Sequence, residues 1–122
     1  MKNVYEPDNE DILEWINAGG GNWPASDWDY YVMNGKNDSL VFQLANDVGC
    51  KEQEFFVHSL YYLVGDYFNS KENPKKLTRI NNLLSMVNDE SCIEVISWKN
   101  KTEKLMNNEI EFDPIFWMNF FL

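Results

Sequence analysis

The chain contains one histidine, His58, and a serine or cysteine nucleophile activated by an imidazole would have to use it. His58 lies in the middle of a predicted helix, on the same side as Phe55 and Tyr62. A general base must reach a substrate proton, and this aromatic setting does not favour that role. We therefore expect His58 to be packed inside the protein or turned toward a partner, and we expect no catalytic residue.

Carboxylates are the other abundant reactive groups, and two pairs are closely spaced: Asp27 with Asp29, and Glu10 with Glu14. Such pairs could act as acid and base in glycoside hydrolysis, which makes a carboxylate enzyme one function class to consider. No further feature supports a site near either pair. Arg79, the lone arginine, offers little for binding phosphate or carboxylate substrates. The sequence predicts a protein that is not an enzyme and has no cofactor.

Cys50 and Cys92 have neither a CxxC spacing nor any other metal-ligand spacing, so no metal site is expected. We expect reduced thiols, with a disulfide between them as the alternative. Residues 19–21 are three glycines, but they lack the GxGxxG and GK[ST] patterns and no strand precedes them. No N-terminal segment resembles a signal peptide, and the apolar run at residues 115–122 is too short to cross a bilayer. These features predict a cytoplasmic protein without a nucleotide site.

Charge is distributed unevenly along the 122 residues, a length suited to one domain over residues 1–122. Ten lysines and arginines oppose 20 acids, which gives a formal net charge of -10. Residues 1–72 hold 13 acids and 4 lysines, a net -9, whereas residues 73–122 hold 7 acids and 6 bases, a net -1. This acidity argues against binding of nucleic acid or an anionic membrane. It suits a basic protein partner, and the alternative is that it only aids solubility.

The longest helical pattern covers residues 53–68 and has apolar groups on two sides. One side, at steps of mainly three and four, consists of Phe56, Leu60, Leu63, Val64 and Tyr67. The opposite side carries Phe55, His58 and Tyr62. A helix with two apolar faces lies between partners, so we expect it to be central. The first side should pack on the following helix and the C-terminal tail, and the second should meet the acidic N-terminal part or a bound partner.

The other predicted helices are recognised by start signals and apolar stripes. The start signals are Asp8 for the first helix, Asp38 or Ser39 for the second, Pro74 for the fourth, and a Ser91–Glu94 capping box for the fifth. The stripes are Ile12, Leu13 and Ile16; Leu40, Val41, Leu44 and Val48; Leu77, Ile80, Leu84 and Val87; and Val95, Trp98, Leu105 and Met106. Lys75, Lys76 and Arg79 are expected to form a solvated basic face.

Together these patterns predict an all-α fold, a compact bundle of about five helices with a docked aromatic C-terminal tail. The alternative is an α+β fold with one small hairpin, in which residues 30–33 pair with residues 40–44. Residues 92–98 also contain β-branched side chains that suit a strand. We prefer helices in both places, because residues 40–45 lack strict alternation and the capping box precedes a long polar continuation.

The most distinctive loop-like segment, residues 22–31, reads NWPASDWDYY and interleaves tryptophan and tyrosine with carboxylates. Tryptophan and tyrosine dominate binding hot spots, although as structural residues they would close one end of the core. We expect a mixed role, in which carboxylates stand where phosphates lie on a basic surface such as a nuclease groove. The residues predicted to bind a partner are Glu10, Asp11, Glu14, Trp23, Asp27, Trp28, Asp29, Tyr30, Asp38 and Asp47.

Three segments carry a family resemblance: residues 15–31 (WINAGGGNWPASDWDYY), residues 60–68 (LYYLVGDYF) and residues 113–121 (DPIFWMNFF). In this small, acidic, tryptophan-rich chain they resemble the immunity proteins of bacterial toxin–immunity systems, including those of contact-dependent growth inhibition. The resemblance implies a stoichiometric, high-affinity complex with one cognate toxin, often a basic nuclease, blocked at its active site or at an exosite. The alternative function is a helical adaptor, or a phage-derived protein, that binds a host factor.

Overall fold

The computed structural model describes residues 3–118, and this part of the chain contains seven helices. They are α1 (Asn9–Asn17), α2 (Trp28–Val32), α3 (Asp38–Ala45), α4 (Gln53–Asn69), α5 (Pro74–Met86), α6 (Ile93–Met106) and α7 (Pro114–Met118). Five of them have eight or more residues, in line with the predicted number, whereas α2 and α7 have five residues each. Helix α2 lies in the segment predicted to be loop-like, so that prediction is wrong for residues 28–31. The all-α prediction is confirmed. No strand occurs between residues 3 and 118, so the hairpin alternative and the strand at residues 92–98 are both wrong.

Helix α4 is the centre of the fold, as its two-sided apolar pattern predicts. Eleven of its 17 residues are buried, so almost no side of the helix faces solvent. It packs on α2, α3, α5, α6 and α7. The other helices are therefore arranged around one buried helix, and they position the side chains of the candidate site relative to it.

The side of α4 that carries Phe55 and His58 meets the N-terminal part of the chain, which confirms one of the two expected arrangements. The Phe55 ring lies 5.0 Å from that of Trp15 and 5.5 Å from that of Trp23, in edge-to-face geometry. Nε2 of His58 lies 3.1 Å from a carboxylate oxygen of Asp29. These contacts attach α1 and α2 to the first half of α4.

The C-terminal tail docks on a third side of α4, which differs from the prediction. The ring of Trp117 lies 5.4 Å from that of Tyr61, and Trp117 is buried. At Gly65 a β-carbon would lie 2.6 Å from Cγ of Met118 and 3.1 Å from the backbone carbonyl carbon of Trp117. Glycine therefore lets α7 approach the α4 backbone closely. Residues 119–122 of the predicted tail lie outside the described residues.

Helix α1 begins as predicted, at a capping box. The Asp8 side chain accepts a hydrogen bond from the Asp11 backbone N–H, and the Asp11 side chain accepts one from the Asp8 backbone N–H. Ile12 is buried as expected, but Leu13 is 41% exposed and Trp15 takes its place in the core. The first helix therefore buries a polar cap and a large indole that the aliphatic stripe did not include.

Two basic side chains of α5 form ion pairs with acids on α3 and α4, although the sequence predicted that they would face solvent. Lys76 Nζ lies 2.8 Å from Asp66, and Arg79 Nε lies 2.8 Å from Asp38. Both basic side chains are half-buried, whereas Lys75 is exposed. The prediction of a solvated basic face is therefore wrong for Lys76 and Arg79, because acids on α3 and α4 lie within reach.

Two other local predictions differ from the structure. Helix α3, which corresponds to the second predicted helix, ends at Ala45. Val48 therefore lies in the following turn and is 72% exposed. Ser91 does not cap α6, because its hydroxyl oxygen accepts a hydrogen bond from the backbone N–H of Asn88 and Cys92 is the N-cap. In both cases a residue that the sequence pattern had assigned to a helix lies in a turn next to that helix.

The structure also bears on the predicted state of the two cysteines and on the prediction that no segment crosses a bilayer. Cys50 and Cys92 are both free thiols, and burial raises the pKa of each. Among residues 3–118, no helix combines the length and the apolar character needed to cross a bilayer.

Candidate partner-binding groove

A groove of about 550 Å³ opens between α2, the middle of α4 and α7. Its wall contains two carboxylates, several aromatic rings and an exposed aliphatic side chain. The residues that define it here are Trp23, Asp27, Asp29, Tyr30, Tyr62 and Ile115. Four of these six belong to the predicted partner-binding set, so the structure brings the centre of that set together.

Asp29 is fixed in the groove wall by two hydrogen-bonded contacts. One oxygen lies 3.1 Å from Nε2 of the buried His58, and the other accepts a hydrogen bond from the Tyr30 backbone N–H at 2.9 Å. His58 therefore forms a buried part of the groove lining and orients a carboxylate. It is packed inside the protein, which is one of the two arrangements expected from the sequence.

A row of aromatic rings begins at Tyr62 and Tyr30 in the groove and continues onto the neighbouring surface through Tyr31 and Tyr5. The Tyr30 ring lies 6.4 Å from that of Tyr62 and 5.7 Å from that of Tyr31, which in turn lies 5.4 Å from that of Tyr5. Tyr30 is 53% exposed, and Trp23 is 40% exposed. Partly exposed tryptophan and tyrosine can bury large apolar area against a partner with little loss of side-chain entropy.

The electrostatic environment of the groove is negative. Asp27 is exposed, and among the described residues no lysine, arginine or histidine nitrogen lies within 4 Å of its carboxylate. Burial raises the pKa of Tyr62 to about 12, and the nearby charges of Asp66, Asp29 and Asp27 contribute to the shift. Burial is the main cause of this shift, and the carboxylates add to it because their negative charge opposes formation of a second anion nearby.

The tail supplies the third wall, which the prediction missed. Pro114, Ile115 and Met118 line the groove opposite the tyrosines, and Ile115 is 71% exposed. The sequence indicated only that an apolar tail should be tied down. It contained no signal that would pair the tail with residues 23–30, which are distant in sequence.

Three predicted partner-binding acids lie on the surface but outside this groove. Glu10 and Glu14 are exposed on α1, and Asp47 is exposed in the turn after α3. The Asp47 carboxylate accepts a hydrogen bond from the Gly49 backbone N–H. These acids add to the negative surface without lining the groove.

The remaining three predicted residues have structural contacts instead. Asp11 is buried in the α1 capping box, and Trp28 is fully buried with its ring 5.7 Å from that of Trp15. Asp38 is bound to Arg79. Asp11 and Trp28 present no side-chain surface to a partner, and the charge of Asp38 is already compensated.

A second groove, of about 580 Å³, lies between α4 and α6 and differs in charge. It is lined by residues that include Glu54, Tyr61, Ile93 and Lys101. The ammonium nitrogen of Lys101 lies 5.8 Å from the centroid of the Tyr61 ring and 5.2 Å from that of Phe116. This second groove therefore already has a lysine next to an aromatic ring of its lining. The described residues that line the first groove include no lysine or arginine.

Residues 3–118 contain no group of three or more histidine, cysteine or acidic side chains arranged to hold a metal ion. Comparison of the chain with protein-family models, with curated proteins and with solved structures found no match. The proposals for its function therefore depend on the groove and on the surface around it.

Proposed function

We propose that the protein is an immunity protein that neutralises a cognate toxin, of a basic nuclease type, by direct stoichiometric binding. The observation that carries the proposal is the groove of α2, α4 and α7, in which the exposed carboxylate of Asp27 lies beside exposed Trp23 and Tyr30. The uneven charge of the chain supports it, since residues 1–72 carry nearly all of the net -10. Opposite surface charge accelerates association and disfavours wrong partners.

The two chemical characters of the groove have separate roles in this proposal. The carboxylates take the positions that substrate phosphates occupy on a basic nuclease surface, and they form charge-assisted hydrogen bonds there. Trp23, Tyr30 and Ile115 supply apolar contact area that excludes water from those bonds. Binding of this kind needs no catalytic residue and no cofactor in the immunity protein.

The decisive experiment is a growth-protection assay with the gene that lies directly upstream of the coding sequence. Its product is expressed in a test bacterium with and without the present chain, and binding is measured with the two purified proteins. We expect growth arrest by the upstream product alone, rescue by coexpression, and a one-to-one complex. An upstream product that is harmless would contradict the proposal, and binding without any effect on growth would favour the adaptor alternative.

Charge reversal at the groove tests whether it is the binding surface. Asp27→Lys should slow association and weaken protection, because it places a cation where the partner presents one. Glu111→Lys is the matched control, since it changes the net charge by the same amount at an exposed site in the nearly neutral half. Equal loss of binding in both variants would indicate a nonspecific charge effect and would contradict the assignment to the groove.

A further inference from the structure

We propose that the groove between α2, α4 and α7 receives one arginine side chain of the partner, with its guanidinium group between Asp27 and Asp29 and against the Tyr30 ring. This inference rests on the proposed function, because it names the group of the toxin that the groove would bind. It does not depend on the toxin's enzymatic activity.

The first support is charge compensation. Elsewhere in residues 3–118, Asp38 and Asp66 have their own partners, Arg79 and Lys76. The groove contains two carboxylates, and no lysine or arginine is among its described lining residues. The imidazole of His58 also lines the groove and contacts Asp29, whereas no basic nitrogen of the described residues lies within 4 Å of the Asp27 carboxylate. A positively charged occupant is the complement of this surface.

The second support is the arrangement of the aromatic rings around these carboxylates. Cations are attracted to the faces of tryptophan and tyrosine, and guanidinium groups stack on them. The chain shows this contact on the other side of α7, where Lys101 lies over Tyr61 and Phe116. The groove combines Trp23, Tyr30 and Tyr62 with two acids and has room for a long side chain.

Arginine suits the hydrogen-bonding positions better than lysine does. One oxygen of Asp29 is in contact with Nε2 of His58, and the other accepts a hydrogen bond from the Tyr30 N–H. About two of its four acceptor positions therefore remain. Asp27 accepts no hydrogen bond from the described residues. The guanidinium group has five N–H donors in a planar fork and can bond two carboxylates at once, whereas lysine is a compact and strongly hydrated charge.

The inference can be tested on the full chain with three tripeptide probes, acetyl-Gly-X-Gly-amide, in which X is arginine, lysine or citrulline. Citrulline has nearly the shape of arginine without its charge. Nuclear magnetic resonance titration should show saturable shifts of the Trp23 indole N–H and the Tyr30 amide with the arginine probe. Citrulline should bind at least about fivefold more weakly, and lysine about twofold to threefold more weakly.

Asp27→Asn should weaken binding of the arginine probe about fivefold, because it removes the carboxylate that is free to accept a fork of donors. Asp89→Asn is the matched control, since Asp89 is exposed in the turn between α5 and α6 and does not line the groove. Equal shifts with citrulline and arginine, equal binding of lysine and arginine, or shifts confined to the groove of α4 and α6 would each overturn the inference.

The two proposals fail in different ways. If the upstream product is harmless while the arginine probe binds the groove as described, the proposed function fails and the cation site stands. If the toxin complex forms and Asp27→Asn binds the toxin as tightly as the parent chain does, immunity stands and the arginine contact is wrong.

Discussion

The guanidinium group of Arg79 binds both carboxylate oxygens of Asp38, through Nε at 2.8 Å and Nη2 at 2.9 Å. The same Nη2 also donates to the backbone carbonyl oxygen of Met33 at 2.9 Å. The only arginine of the chain thus connects α5 to the start of α3 and to the end of α2. This contact holds the short helix that carries the acidic wall of the groove.

Replacement of Arg79 by methionine should therefore destabilise the protein. It leaves a half-buried carboxylate and a carbonyl oxygen without their donors, which should lower the free energy of unfolding by about 2 kcal/mol. Urea denaturation measures the change. Lys75→Met, at an exposed position in the first turn of α5, should stay within about 0.5 kcal/mol of the parent. Similar losses for both variants would show that the Arg79 contacts are weak.

Addition of one methyl group at Gly65 should displace α7. Gly65→Ala places a β-carbon against Met118 and the Trp117 backbone, and overpacking of this kind costs about 1–3 kcal/mol. The gain in helix propensity offsets about 1 kcal/mol of that cost. Hydrogen exchange should accelerate in residues 114–118. Asn81→Ala, on the exposed side of α5, should gain propensity alone, and unchanged exchange at α7 in Gly65→Ala would disprove the close approach.

The pair of Asp29 and His58 should show energetic coupling in a double-mutant cycle. With Asp29→Asn and His58→Gln we expect a coupling free energy of about 0.5–3 kcal/mol, since the two side chains are in direct contact and largely buried. Asp27→Asn serves as the control, because it removes a neighbouring carboxylate that has no ion pair with His58. Its effect should add to that of His58→Gln. Additivity in the Asp29 cycle as well would mean that the contact does not orient the groove wall.

Tyr62 should resist ionisation in alkaline solution. Burial, followed by the charges of Asp66 and Asp29, raises its pKa from 10 to about 12. Between pH 10 and pH 12 the phenol ionises in the unfolded chain but not in the folded one, so the free energy of unfolding falls as the pH rises. Tyr62→Phe should show a smaller fall across this range in urea denaturation, and below pH 10 the slopes of the two proteins should agree. Identical slopes at all pH values would exclude the shifted pKa.

Sequence patterns predicted the five longer helices because local signals dominate their formation, whereas the short helices α2 and α7 were not predicted. Asp8 has its capping partner three residues away, and Pro74 begins α5 as its fixed φ allows. The ends of helices were less predictable where distant groups compete. Asn37 precedes α3, and its side chain donates to the Pro7 carbonyl oxygen, 30 residues away, so the turn before Asp38 is fixed by a contact that no local pattern contains.

The candidate site was predictable in chemical character and less so in geometry. Trp23, Asp27, Asp29 and Tyr30 do lie together, because one short segment carries them all. The sequence of that segment does not show, however, which of its two tryptophans is buried and which is exposed. Trp28 is fully buried while Trp23 is 40% exposed, a difference set by whether the ring points toward Trp15 or toward the groove. Orientation of this kind depends on tertiary packing.

The docking of α7 on Gly65 has a consequence for when the groove is complete during synthesis. Ribosomes synthesise the chain from its N-terminus, so α1 to α6 are made before the wall formed by Pro114, Ile115 and Met118. A growing chain that has not passed Met118 carries the carboxylates and the tyrosines but presents an open face at Gly65. The groove is thus completed only after translation of α7, and fragments that end before Pro114 would lack it.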